Sequence, residues 1–357
     1  MMRMKRNLLY VACMALTVLL LIGCELTPGD YPEPMIRTRL AEATQLLTYV
    51  EPEGERFILT GDLHCHSEES NGSGIPTSRV LSESIKVGYD FIALTDHDTL
   101  AQNQLDWSTS SLLVLSGMEL GTDLGHFNIF GLTEPPNRQS TFATAAVFNT
   151  YIDYLHSLGA LIQHNHPNRN LDVNVSFSYD LNTDFVEILN KSLNEEDKRT
   201  LQRDFHGMLA AGKKFVATAG SDAHKDYDNR HEFNNVWVSE RSEVAVLYAL
   251  KQGHSYITTA VDGPVISLVC GDAIMGDSVV FSEGQKVNIM ITGLMEGSLV
   301  KLFDINGPHV EPETSVSSYQ YDLDTESDMG FVRVEVWSPD GNSIIAFSNP
   351  LYITQNT

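Results

Sequence analysis

The chain has 357 residues, with 47 acidic against 23 basic side chains and a formal net charge of −24. A surface of that sign repels polyanions, which disfavours gripping nucleic-acid phosphates and electrostatic docking on anionic lipid headgroups. Hydrophobic content of 42% with 20% charged residues is that of a folded protein, and the length predicts one large domain plus a smaller one.

Residues 1–23 read as a targeting segment. Arg3, Lys5 and Arg6 form a positive start, Leu8 to Ile22 is an almost unbroken apolar run, and the stretch closes with Leu21-Ile22-Gly23-Cys24. About 15 apolar residues are short for a bilayer span. The ending resembles the lipobox of bacterial lipoproteins. That resemblance implies cleavage before Cys24, lipidation of Cys24, and a place in the cell envelope facing the periplasm or the outer surface. Loss of the three basic residues makes the mature chain more acidic still. Residues 24–50 then read as a Pro-rich tether and linker, from Thr27-Pro28-Gly29 to Pro32-Glu33-Pro34. Cys65 and Cys270 would be the remaining thiols, too few for a disulfide scaffold.

From residue 51 to 259 short apolar runs alternate with longer amphipathic ones. Strands are expected at Phe57–Thr60, Asp90–Leu94, Leu112–Leu115, Phe127–Phe130, Ala160–Ile162, Phe185–Leu189 and Phe215–Ala217. Helices are expected at Arg79–Val87 after Pro76, at Thr144–Leu158 before Gly159, and at Glu195–Ala211 before Gly212. Strand and helix in turn, with apolar strand faces, predict an α/β barrel or doubly wound sheet. Residues 260–357 change character. Runs such as Val265–Val269, Lys286–Thr292, Leu299–Asp304, Phe331–Trp337 and Ile344–Phe347 are punctuated by Gly, Pro, Asp and Asn, which predicts a small antiparallel, sandwich-like β domain.

Histidines and carboxylates follow those strands with a pattern. His64 and His66 come after the first strand, Asp96 and His97 after the second, Glu119 after the third, His164 and His166 after the strand at 160–162, and Asp222 and His224 after that at 215–217. In a parallel barrel the C-terminal strand ends share one rim, where such folds build their sites. Two-residue spacing aims alternate side chains the same way in extended chain, so Cys65, between His64 and His66, points its thiol elsewhere. Imidazoles and carboxylates converging on one rim make a site for Zn²⁺, Mn²⁺ or Fe²⁺.

Asp62-Leu63-His64-Cys65-His66-Ser67, Thr95-Asp96-His97-Asp98, His166-Pro167 and Gly220-Ser221-Asp222-Ala223-His224 resemble the four motifs of the polymerase and histidinol phosphatase (PHP) superfamily. Gly253-His254-Ser255-Tyr256-Ile257-Thr258 with Gly263-Pro264 is similar to its carbaryl-hydrolase-like branch. The resemblance implies a distorted seven-stranded (β/α) barrel with two or three divalent ions. His64, His66, Glu119 and Asp222 would hold the first; Glu119 would bridge to a second, completed by His126 and His166. His97 and His224 match ligands of a third, whose remaining position falls at Asn71, a weaker donor. Asp96, His164 and Glu187 are candidates for orienting or weaker ligands, and Arg169, Lys225 and Arg230 for holding a substrate anion. The expected function is a metal-dependent phosphoesterase acting on a small phosphate mono- or diester, with His97 and His224 available as proton donors. A carbamate, aryl ester or amide hydrolase is the first alternative, and a non-catalytic surface lipoprotein binding glycan or protein the second. The charge and the export signal argue against nucleic acid as a partner.

Overall fold

The computed structural model describes residues 35–36, 46–70, 73–167, 181–191, 197–198, 200–225, 232–310 and 317–355. Cys24, Asn71, Arg169 and Arg230, and with them the targeting segment, lie outside the described residues.

The first long strand, β1 (Phe57–Cys65), is buried on both faces from Gly61 onward. A strand in that position must be covered above and below and paired on both edges. The helix α1 (Thr77–Val87) follows, starting after Pro76 and ending at Gly88, whose left-handed backbone returns its N–H to the Ser84 and Ile85 carbonyls. Next comes β2 (Phe91–Leu94), parallel to β1, with Gly61 opposite Phe91. That approach needs glycine, because a methyl group at residue 61 would collide with the Phe91 carbonyl and ring. The third strand, β3 (Leu113–Thr122), pairs parallel with β2.

The alternating pattern predicts parallel strands throughout, and here the fold departs from it. Between β3 and β5 (Leu161–His164), β4 (Gly125–Phe130) runs antiparallel to both. The link from β3 to β4 is only Asp123 and Leu124, with Gly125 at φ 121, too short for a helical crossover. The helix α2 (Ala145–Ser157), capped by the Thr144 side chain on Val147 N–H, buries Phe148, Tyr151, Ile152 and Leu155 in a cluster with Phe127, Ile129 and Ile162. Parallel pairing resumes with β6 (Phe185–Asn190) and β7 (Val216–Gly220). The helix expected between them is described from Thr200, as a π-helical turn to Phe205 and then α3 (His206–Ala210). Beyond β7, Asp222 N–H bonds to His64 O (2.7 Å) and His66 N–H to Ala223 O (3.1 Å), which brings the ends of β7 and β1 side by side.

Several elements escaped the sequence pattern, among them β8 (Phe233–Val238), antiparallel to β1, and α4 (Glu243–Gln252), capped by Ser242 and closed by Gly253. Asn234 and Asn235 make β8 look like a turn. In the fold both are buried, and Asn234 serves as a polar rivet: its amide donates to Gly61 O and Ala219 O and accepts from Ala219 N–H.

After β9 (Ser255–Thr258) the β-rich C-terminal part divides between two sheets. Its strands are β10 (Val265–Cys270), β11 (Ala273–Ile274), β12 (Ser278–Val280), β13 (Lys286–Thr292), β14 (Leu299–Asp304), β15 (Gly307–Val310), β16 (Ser318–Asp324), β17 (Phe331–Trp337), β18 (Ile344–Ser348) and β19 (Leu351–Thr354). A four-stranded antiparallel sheet has the order β11-β10-β13-β16. The others join the site-bearing strands in one 15-stranded mixed sheet, because β18 pairs with β9 (Ile257 opposite Phe347) as well as with β17. The fold is thus mixed α/β, with one large sheet and a smaller antiparallel one. Its C-terminal core gathers Ile266, Leu268, Ile289, Ile291, Val334 and Val336, while Phe331 and Phe347 pack with Phe205 and Ile257 beside β7. Cys65 and Cys270 are both buried and form no disulfide.

Asn349, fully buried after β18, fastens the C-terminal strands to the site-bearing ones. It accepts from Ala217 N–H (2.8 Å) and donates to Ala217 O, Ser255 O and Ser255 Oγ. Replacing it with alanine orphans those buried backbone groups, so Asn349→Ala is expected to cost about 2 to 4 kcal/mol. Chemical denaturation monitored by far-UV circular dichroism checks this; an unchanged midpoint would show that Asn349 is no joint.

Candidate metal centre

Strand periodicity places the first two histidines. His64 and His66 are fully buried and project to one side of β1, while the Cys65 thiol between them points away and donates to Ala93 O. Each ring is oriented through one nitrogen. His64 Nδ1–H donates to Glu187 Oε1 at 2.9 Å, and His66 Nδ1 lies 2.9 Å from Ser70 Oγ. Both Nε2 atoms are thereby turned toward Glu119 and Asp222.

Glu119, fully buried in β3, is the centre of the arrangement. Its Oε1 lies 3.3 Å from His64 Nε2, 3.1 Å from His126 Nδ1 and 3.5 Å from His166 Nε2. Its Oε2 lies 3.3 Å from His66 Nε2 and 2.9 Å from His97 Nδ1. Asp222 Oδ1 faces His64 Nε2 (3.6 Å), His66 Nε2 (3.2 Å) and His224 Nδ1 (3.3 Å). On the more open side His97 and His224 bring their Nε2 atoms to 3.3 Å. Four overlapping triads result, His64–His66–Glu119, His64–His166–Asp222, His97–Glu119–His126 and His66–His97–His224, each with its donor atoms within 4.8 Å.

The backbone at this rim is unusual. Four non-glycine residues have a left-handed backbone, Asp98 (φ 55), His166 (φ 26), Lys191 (φ 65) and Asp222 (φ 46), and each closely follows β2, β5, β6 or β7. Such conformations cost about 1 kcal/mol or more each and persist where the surroundings impose them. They correct one expectation. His164 and His166 are not an alternating pair: His164 stacks on Phe127 (centroids 4.7 Å apart) outside the four triads, while the turn at His166 swings that ring inward. Burial, aided by His166, pushes the His164 imidazole down to about 3, so it is a neutral packed ring.

The other expected residues take distinct places. Asp96 is buried and accepts from Ser67 N–H (2.6 Å) and Ser67 Oγ–H (2.7 Å), which pins the turn after β1 rather than facing the triads. Glu187, on β6, accepts from His64 and, through Oε2, from His166 N–H (2.7 Å) and Asn190 Nδ2 (2.9 Å). Lys225 is exposed just past His224. Several residues outside the expected set of site residues hold the site together. Asp62 accepts from Ser221 and from His64 N–H, joining the ends of β1 and β7. Asn165 donates to Glu119 Oε1 (2.9 Å) and Asn128 Oδ1. Lys191 Nζ pairs with Asp222 Oδ2 at 3.0 Å.

The donor set fits divalent cations. Glu119, Glu187 and Asp222 crowd several imidazoles in a site with little water access, where anions must be compensated. His64 Nε2 and His166 Nδ1 are buried and make no well-formed hydrogen bond. Burial alone would lower the His64 pKa, but Glu187, Glu119 and Asp222 outweigh it and hold it well above the usual imidazole value. The field that favours a proton on Nε2 favours a metal ion there equally. Burial pushes His66 down to about 4, keeping it a neutral imidazole. Burial would raise Glu119, yet His64, His126 and His166 hold it well below the ordinary carboxylate range, and Asp222 is lowered likewise by His64 and His66. Both remain anionic.

No protein-family model matches the chain, and no curated protein matches it. Among solved structures it is similar to a two-domain protein from Bacteroides vulgatus described as containing a predicted PHP-like metal-dependent phosphoesterase. The two share 16% identity over 85% of this chain and 100% of that one, with a TM-score of 0.46.

Two substitutions probe the construction. Glu187→Gln leaves one oxygen to serve both His64 and His166 N–H, and is expected to weaken metal binding about 10- to 100-fold with the fold intact. Gly220→Ala places a methyl group into Glu187 and His64, and is expected to do the same through their displacement. Competition with a chromophoric chelator measures both; wild-type affinity in either variant would refute the corresponding role.

Proposed function

We propose that the chain is a metal-dependent phosphoesterase acting on a small phosphate mono- or diester. The observation that carries this reading is the convergence of His64, His66, His97, Glu119, His126, His166, Asp222 and His224 within overlapping triads around one buried carboxylate. In this reading His64, His66, Glu119 and Asp222 would hold one divalent ion, and Glu119, His126 and His166 would hold a second. His97 and His224 border any third. Zn²⁺, Mn²⁺ and Fe²⁺ all suit such ligands. When bound, these ions supply Lewis acidity that makes water nucleophilic near neutral pH and neutralises charge on phosphoryl oxygens.

The chain's own groups supply the rest. Glu187 and Ser70 hold the His64 and His66 rings in place, so no side-chain reorganisation accompanies the reaction. His97 and His224, the pair on the open side, are assigned to the leaving oxygen's proton. The hydrogen-bonded Glu119 raises the His97 pKa against the effect of burial, so that ring keeps a proton to higher pH than a free imidazole. The acidic surface does not bar a small anion, because bound cations dominate the local field. We further read β1 to β7 as the distorted (β/α) barrel implied by the motifs, and Cys24 as the lipid anchor holding the enzyme in the envelope.

Metal analysis with a substrate panel tests the proposal. The expected result is bound divalent metal and turnover of p-nitrophenyl phosphate or bis-p-nitrophenyl phosphate. His64→Ala and Asp222→Ala are each expected to lose metal and at least about a hundredfold in rate. Metal-loaded protein that leaves both phosphates intact and cleaves naphthyl acetate would overturn the phosphoesterase reading for the ester one.

A further inference from the structure

Lys191 occupies a conformation that its residue type does not favour. Directly after β6 its backbone is left-handed (φ 65), where lysine is strained and glycine or asparagine would be relaxed. The turn is held from both sides. Lys191 N–H bonds to Gly220 O (3.1 Å), and the preceding Asn190 donates its amide to Glu187 Oε2 (2.9 Å). The effect of the turn is to bring Nζ to 3.0 Å from Asp222 Oδ2, while Oδ1 of the same carboxylate faces His64, His66 and His224. The ammonium therefore stands one carboxylate away from the imidazole cluster. Its side chain is 52% exposed, on the open side of Asp222. An exposed surface pair of this kind adds about 1 kcal/mol or less to stability, too little to account for a strained backbone.

We propose that Lys191 is a substrate-binding residue, holding the terminal phosphoryl group of a phosphomonoester. A monoester carries a second negative charge that a diester lacks, and a lysine with three donors, held beside the ligand carboxylate, supplies the matching cation. The assignment rests on the phosphoesterase reading and narrows it to monoesters. It also sets Lys191 apart from Lys225, which has no described ion pair to a ligand carboxylate.

Titration calorimetry of the metal-loaded full chain with inorganic phosphate tests this independently of turnover. Lys191→Ala is expected to weaken phosphate binding about tenfold or more while metal content stays at the wild-type level, and Lys191→Arg to restore most of the affinity. On p-nitrophenyl phosphate kcat/KM should fall by a similar factor, and on bis-p-nitrophenyl phosphate by clearly less. Unchanged phosphate affinity in Lys191→Ala overturns the proposal alone. Loss of metal in that variant also overturns it, because the lysine would then only position Asp222. An equal fall on both esters overturns the monoester assignment. Wild-type protein that is metal-loaded and binds no phosphate overturns the phosphoesterase reading together with this one.

Discussion

Everything in this molecule that concerns chemistry depends on one carboxylate kept out of water. Glu119 is fully buried in the middle of a strand, with histidine nitrogens arranged around both of its oxygens. A buried anion is costly unless it is compensated, and the compensation comes from residues on or just after four other strands, β1, β2, β4 and β5. That requirement ties those four strands to β3 more specifically than apolar packing would. Apolar side chains tolerate repacking, whereas a charge with five imidazoles around it permits one register.

Around that centre lies a layer of hydrogen bonds that decides which nitrogen of each ring faces inward. Glu187 fixes His64, Ser70 touches both His66 and the backbone of His97, and Asn165 holds Glu119 itself. Asp62 and Asp96 act one step further out. They bind the serines and backbone of the neighbouring turns, and so keep the strand ends in contact. The left-handed turns at Asp98, His166, Lys191 and Asp222 belong to the same layer, since each redirects the chain at the rim within one residue.

The histidine and carboxylate motifs that converge here could be read from the sequence because they are local. His64-Cys65-His66, with alternation over an extended strand, shows which rings share a side, and burial of both rings with the thiol turned away agrees with it. The same rule failed at His164 and His166, where a left-handed turn intervenes that no pattern of residue types announces. Expected strand positions held well in both halves of the chain, but strand direction did not: β4 reverses because its loop is short, and loop length was the available signal. The helix α4 and the strand β8 were passed over, the strand because its two asparagines resemble turn residues until their buried partners are known. Lys191 and Asn165 lie beside motif residues yet owe their importance to contacts across 31 and 46 positions, which single-sequence reasoning cannot see.

The pairing of β9 with β18 has a consequence for how the chain can be divided. An apparent change of character near residue 260 invites trimming there to obtain a minimal piece that carries the histidine–carboxylate cluster. The ladder between Ile257 and Phe347 continues across that point without a break. A chain ending at Thr259 would present β9 as a bare edge with unfilled hydrogen-bonding groups, and would leave Ala217 without the amide of Asn349. Bare edges recruit other strands. The shortened protein would therefore be a seed for self-association, and the C-terminal strands serve the site-bearing strands as their solubility.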